Sequence, residues 1–477
     1  MTQTYTTEQP IRLGIDFGTT HTSAAFFDGA QIRTVPLDPL NANPNLLRSM
    51  IYVTRTQEQY LGLEAVQTFL EHDTGRSVIY EDKYVGTIEY TVAQQYKGPL
   101  EPDGPITIIQ DVTIADDVGV QGRLLQSIKT GLRSDSYTGT DIFGRYYSLQ
   151  ELIALILGQV RTAAEQHLGR PIRQATLGRP VQFSPDPAAD QRAQERLGEA
   201  AALAGFEEVD FVPEPVAAAT FYLNQVTKPE TVLIFDFGGG TLDLTVMRAA
   251  DRRVHEMLAT HGVLVGGDDL DSSLMRQYVA QYFGAMTPID TNFDGRPIPF
   301  PEDLADELKQ WQTIPNLSRP KALAVMKRAL RFSPEAAKFA ALETLVMQNY
   351  GFALFEQIEQ AKRRLSYDLK TKLQFQAETI DLKLELRRRE FNQAINEERS
   401  LVREGIQAVI DMAGVTVSEI DAVVTTGGSS VIPIFQKMLT TLFPNATLVP
   451  LDTFSGVTNG LALRAYQSLA NMSSVSR

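Results

Sequence analysis

Two stretches of this chain set an aspartate against a turn of glycines and hydroxyls. In "GIDFGTTHTS", Asp16 ends a run of strand-forming residues, Gly18 allows a tight turn, and Thr19 and Thr20 add hydroxyls and main-chain N–H groups. A carboxylate at the end of a buried strand is costly to desolvate unless something satisfies it. A turn rich in N–H groups can wrap a phosphate. A plain hairpin, whose Asp bonds only to its own turn, is the competing account of this stretch. In "IFDFGGGTLDLTV" the case for a ligand is stronger. Gly238, Gly239 and Gly240 follow Asp236 in succession, and such a run wastes chain entropy unless something approaches the backbone closely. Asp236 and Asp243 flank that turn and suit a hydrated Mg²⁺, an ion that keeps several waters and takes few carboxylates. Thr241 lies where it can touch a terminal phosphate. Two such hairpins, facing one another, would clamp a polyphosphate from both sides. The chain has no Gly-Lys dipeptide and hence no Walker A loop. Nor does an HRD triplet accompany the two DFG triplets, which argues against a protein kinase.

The elements that must hold these turns are legible in outline. "IRLGIDFGTTHTSAAFFDGAQIRTV" reads as two strands joined through "DGAQ". Ser148 with Glu151 matches a helix capping box, and Gly169 with Pro171 supplies the stop. A strand at "QATLGRPVQF", a helix closed by Gly205, a strand at "EVDFVPEP" and a helix at "VAAATFYLNQ" follow. "TVLIFDFGGGTLDLTVMRAA" then begins the same strand–turn–strand plan again, and "IDAVVTTGGSS" returns to strand and glycine turn. The helix after Gly427 and Gly428 aims its N-terminus at any bound anion, although a plain strand-to-helix turn accounts for the glycines too. The layout predicts two α/β lobes from a duplicated ancestor. The first is expected over 11–210, with an accessory subdomain at about 45–128. The second is expected over 211–470, with a mostly helical accessory subdomain at about 272–412 that includes a strand pair at "KTKLQFQAETIDLKLE".

Composition narrows the function classes. Of 477 residues, 43% are hydrophobic and 21% charged, ordinary values for a globular protein, and the length calls for more than one core. The net charge of −14 argues against nucleic acid as a partner. Without cysteine there is no disulfide, thiolate zinc site or cysteine nucleophile. The polar N-terminus has no signal-like apolar core, and no apolar run approaches spanning length, so a cytoplasmic protein with no membrane partner is expected.

Beyond the two hairpins, further motifs make the chain resemble the nucleotide-binding domain of the 70-kilodalton heat-shock chaperones, within the actin-like ATPase superfamily. "GIDFGTTHTS" and "IFDFGGGTLDLTV" are similar to that family's two phosphate loops. "PEPVAAA" matches its connecting motif, "GVLVGGDDLD" its glycine pair Gly266 and Gly267, "EQAKRRLS" its nucleoside helix and "VVTTGGSSVIP" its adenosine loop. The resemblance implies two ribonuclease-H-like domains with accessory subdomains, binding ATP or ADP with Mg²⁺. It implies metal positioning by Asp16, Asp236 and Asp243, and a catalytic set of Lys129, Glu214, Thr241, Asp236 and Asp243. Glu359, Lys362, Arg363 and Ser366 would grip adenine and ribose, with Gly427, Gly428 and Ser429 on the other side. Pro180 and Arg192 align with residues through which the family passes on nucleotide state.

The expected function is slow hydrolysis of ATP to ADP coupled to lobe closure, with a separate client or co-chaperone as partner. A non-catalytic nucleotide-dependent scaffold or sensor, and a small-molecule kinase of the same superfamily, are the alternatives. The sequence departs from the family at His21, at Val431 where an adenine-stacking Arg is usual, and at Phe454 where an acidic residue is usual. No peptide-binding domain is expected in this stretch of chain.

Overall fold

The computed structural model describes residues 11–92, 106–184, 186–224, 226, 228–291, 295–452 and 455–475, so the lead-in 1–10 and Phe454 lie outside the described residues. Two sheets of the same design organise it. In the first lobe, β1 (Arg12–Phe17), β2 (His21–Phe27) and β3 (Ile32–Thr34) form an antiparallel meander, and β4 (Gln174–Arg179) and β5 (Glu208–Pro213) add in parallel on the other side of β1. In the second, β6 (Glu230–Phe237), β7 (Leu242–Ala250) and β8 (Arg253–Val263) form the meander, and β9 (Ala422–Thr426) and β10 (Thr447–Pro450) the parallel side. The strand orders β3-β2-β1-β4-β5 and β8-β7-β6-β9-β10 are therefore the same, which is the duplication expected from the repeated phrase. The stretch expected as two strands joined through "DGAQ" is three, because the chain also reverses at Gly18–Thr20. Two residues of small or hydroxyl type after Gly18 suffice for that second reversal.

Helices cover these sheets with apolar faces. α1 (Leu149–Leu168) buries Leu152, Ile153, Ile156, Leu157 and Val160, a helical stripe against the first sheet. Its capping box is formed: the Ser148 hydroxyl accepts from the Glu151 N–H at 3.1 Å, and Glu151 accepts from the Ser148 N–H at 2.8 Å. Gly169 ends it in the left-handed region at φ 67°. α2 (Pro187–Leu203) packs beside α1, and α3 (Glu214–Leu223) packs on the second sheet. In the second lobe, α4 (Gly267–Leu274), α5 (Gly351–Tyr367), α6 (Asn396–Ala413) and α7 (Pro433–Leu442) build the core around Phe235, Phe237 and Phe435.

α8 (Gly456–Val475) lies in the stretch expected for the second lobe, yet it packs on β1 and β2 of the first and crosses α3. A Cβ on Gly460 would stand 1.8 Å from the Ala217 carbonyl oxygen, so the crossing needs glycine there. This helix joins the lobes.

The lobes also meet at the far end of the cleft. In the stretch expected as the first accessory subdomain, the strands Met50–Thr54, Gln59–Leu61 and Gly122–Gln126 form a sheet under the helix Gly62–His72. Phe69 of that helix stacks edge-on against Phe352 of α5 (5.4 Å between centroids), and Phe352 against Trp311 (5.0 Å). The Trp311 indole N–H donates to Gln126 Oε1 at 3.1 Å. Main-chain bonds from Gly75 to Gln348 and from Val78 to Met347, both 2.8 Å, close the seam. The strand pair Lys370–Ala377 and Ile380–Arg387 forms as expected. Among the described residues no helix is long and apolar enough to cross a membrane.

Candidate functional site

The two aspartate–glycine turns close in the same way. Gly18 N–H donates to the His21 carbonyl at 3.1 Å, and Gly238 N–H donates to the Thr241 carbonyl at 2.9 Å. The main-chain N–H groups of Thr19, Thr20, Gly239 and Gly240 find no main-chain acceptor among the described residues. The turns approach so closely that a Cβ on Gly239 would stand 2.3 Å from Thr20 Cγ2. Other segments stitch the second turn in place. The N–H groups of Gly267 and Asp268 donate to the carbonyls of Gly238 and Gly239 at 3.1 and 2.9 Å, and the Ser429 hydroxyl donates to Gly238 O at 3.0 Å.

One cavity between the lobes is lined by nearly every residue the sequence singled out: Asp16, Gly18, Thr19, Thr20, Lys129, Glu214, Asp236, Gly238, Gly239, Gly240, Thr241, Asp243, Gly267, Glu359, Lys362, Arg363, Ser366, Gly427, Gly428 and Ser429. Pro180 and Val431 line it too. Gly266 stands just behind the wall, where its N–H is capped by Asp269 Oδ2 at 2.8 Å. Arg192 lies outside, paired with Asp135 at 2.5 Å. Arg133 and Tyr367 also line the cavity, although no sequence motif marks them. Each follows a motif residue by four positions, Lys129 and Arg363 respectively, a spacing that could have flagged them.

Charge in the cleft is unbalanced. Asp236 and Asp243 are direct cross-strand partners of β6 and β7, and Asp16, next to last in β1, lines the same cavity. Burial, then the neighbouring Glu214 carboxylate, push Asp16 up to about 7. The same two causes raise Asp236 well above the usual carboxylate range and raise Asp243 as well. Against these stands Lys129, whose ammonium donates to Glu214 Oε1 at 2.6 Å. Burial opposes its charge, but Glu214 and Asp16 outweigh that and hold it above the ordinary lysine value. Thr241 Oγ1 donates to Asp243 Oδ2 at 3.0 Å. Among the described residues no three His, Asp or Glu side chains converge to ligate one ion directly. Hard carboxylate oxygens in excess of cationic partners fit a divalent ion held through its own waters.

The α5 side is arranged by ion pairs. Lys362 Nζ reaches Asp271 Oδ2 at 2.5 Å and the Gly267 carbonyl at 2.7 Å. Burial raises Asp271 to about 7 despite that lysine. Glu359 is favoured by burial to stay protonated, but Lys362 and Arg48 hold it below the usual range. His21 is pushed down to about 4 by burial and by Arg48, so it is neutral, with Nδ1 3.2 Å from Thr20 Oγ1.

The family model described as Hsp70 protein matches residues 122–310 and 346–470. Chaperone protein DnaK of Endomicrobium trichonymphae is 34% identical over 168 residues, covering 35% of this chain and 26% of that protein. Chaperone protein dnaK1 of Synechocystis sp. (strain ATCC 27184 / PCC 6803 / Kazusa) is 26% identical over 322 residues, covering 66% of this chain and 38% of that protein. The chain thus spans well under half the length of these curated relatives.

Proposed function

The chain belongs to the Hsp70 family, and from that premise we propose that it binds Mg-ATP between its lobes, hydrolyses it slowly to ADP and phosphate, and couples the nucleotide state to lobe closure. A client or co-chaperone protein is the proposed partner, as the names of its relatives suggest. The observation that carries this reading is the convergence of both hairpin turns, Lys129 and six carboxylates on one interlobe cavity.

Each group has a role that its position supports. The free N–H groups of Thr19, Thr20, Gly239 and Gly240 bind phosphate oxygens. Asp16, Asp236 and Asp243 would hold a hydrated Mg²⁺, which when bound neutralises charge on the β- and γ-phosphate oxygens. Glu214 orients the attacking water, and the Lys129 ammonium, held by Glu214, steadies the developing negative charge. Thr241 donates to the terminal phosphate. Glu359, Lys362 and Ser366 position the ribose and base. Positioning and electrostatics supply most of such catalysis.

Calorimetric titration with ATP and ADP, with and without Mg²⁺, tests binding; no Mg-dependent heat would refute it. Single-turnover phosphate release tests hydrolysis. ATP that stays bound and intact for hours would make the protein a nucleotide sensor instead.

A further inference from the structure

Arg363, Ser366 and Tyr367 of α5 line the cavity together with Gly428, Val431 and Ile432 from the loop entering α7. Tyr367 is the last residue of α5, and 77% of its surface is exposed. Its phenol ring makes no hydrogen bond and no ring contact among the described residues. Arg363 lies one helical turn before it on the same face and is itself 59% exposed, with only a distant 3.8 Å pair to Glu359. A planar cation and an unpartnered planar ring therefore lie one helical turn apart on one face of α5, at a cavity wall whose loop side is apolar at Val431 and Ile432. Such a wall suits a flat heterocycle. An exposed tyrosine with no partner does nothing for the core, whereas a purine face would bury much of its ring. Aromatic side chains bind bases through their faces, at little entropic cost.

We infer that Tyr367 is a base-binding residue: its ring packs on the nucleobase of the bound nucleotide and sets the affinity for base-bearing ligands over bare phosphates. This rests on the nucleotide-binding reading above.

The test titrates wild type, Tyr367→Ala and Tyr367→Phe with Mg-ADP and with Mg-tripolyphosphate, which has no base. Tyr367→Ala should weaken Mg-ADP about tenfold, leave tripolyphosphate unchanged, and be rescued to within about twofold by Tyr367→Phe. Wild-type protein that binds Mg-ADP while Tyr367→Ala binds it equally well overturns the inference and leaves nucleotide binding intact. Equal losses for both ligands overturn it too, since the ring would then support the cleft and not the base. A wild type blind to Mg-ADP removes the nucleotide-binding reading, and this inference with it.

Discussion

Arg48, beside the first phosphate turn, grips Glu356 on α5 of the opposite lobe with two hydrogen bonds of 2.9 and 2.7 Å. A third, longer contact of 3.3 Å runs from the same guanidinium to Glu359. Fork-to-fork pairs of this kind are among the stronger polar contacts, and this one ties the two lobes together. Arg48→Ala should therefore speed release of a fluorescent ADP about tenfold, equivalent to about 1.4 kcal/mol. Because both side chains are largely buried, added salt should speed release only slightly in the wild type and in the variant alike. Stopped-flow chase experiments measure both. Unchanged release in Arg48→Ala would mean that the pair does not limit opening.

The contact between the turns predicts a paired substitution. Gly239→Ala would press a methyl onto Thr20 Cγ2, and threonine is stiff about χ1. Overpacking of this kind costs about 1–3 kcal/mol, so Mg-ADP should bind about ten- to a hundredfold more weakly while far-ultraviolet circular dichroism is preserved. Adding Thr20→Ser removes the opposing methyl and should recover much of the loss. A double variant as weak as the single one would show that the turns need not meet.

Lys129→Ala separates binding from chemistry. The phosphate turns are untouched, so Mg-ADP affinity should change less than about threefold, while single-turnover hydrolysis falls at least about a hundredfold. The substitution also leaves Glu214 facing three other carboxylates without its ammonium. Ligand-free stability should drop by about 3 kcal/mol. Hydrolysis within about threefold of wild type would remove Lys129 from the chemistry.

Stability should depend on pH in a definite sense. Folded Asp16 and Asp271, both raised to about 7, keep protons that an unfolded carboxyl near 3.8 has already lost. Their contribution is full below the unfolded value and disappears as pH rises through about 7. Neutral His21 acts in the opposite direction, but its window runs from about 4 to 6.5. Between about pH 6.5 and 8 the carboxylates therefore decide, and the melting temperature of the ligand-free protein should fall. Mg-ADP should stabilise more at the upper end, where the carboxylates are charged. Calorimetric melts would contradict this if the ligand-free midpoint rose across that interval.

Local patterns made much of this legible. The Asp–Phe–Gly turns, the Ser148 capping box and the Gly169 stop are short-range signals, and each depends on residues within a few positions. The nucleoside-side residues were legible only as a set, because Glu359, Lys362 and Arg363 alone look like any charged helix face. What stayed hidden was chosen by long-range packing. Nothing near Arg48 in sequence announces Glu356, and Lys362's partner Asp271 lies in another segment. Likewise α8 sits on the first lobe because Gly460 lets it cross Ala217, a fit that no periodicity encodes. Tyr367 carries no sequence signal of its own, because a tyrosine at a helix end looks like an ordinary core residue until its exposure is known.

The seam of Phe69, Phe352 and Trp311 gives the cleft a thermal character. Trp311 opens the stretch, 311–345, that lies between the two segments matched by the family model. Parting the lobes must wet these rings, and wetting apolar surface raises heat capacity. Their attraction also weakens on cooling. The closed state therefore tightens on moderate warming and loosens in the cold, so the rate of nucleotide escape should follow a curved Eyring plot. A clasp made of Arg48 and its carboxylates alone would lack that apolar curvature; with the rings beside it, the cleft carries a built-in response to temperature.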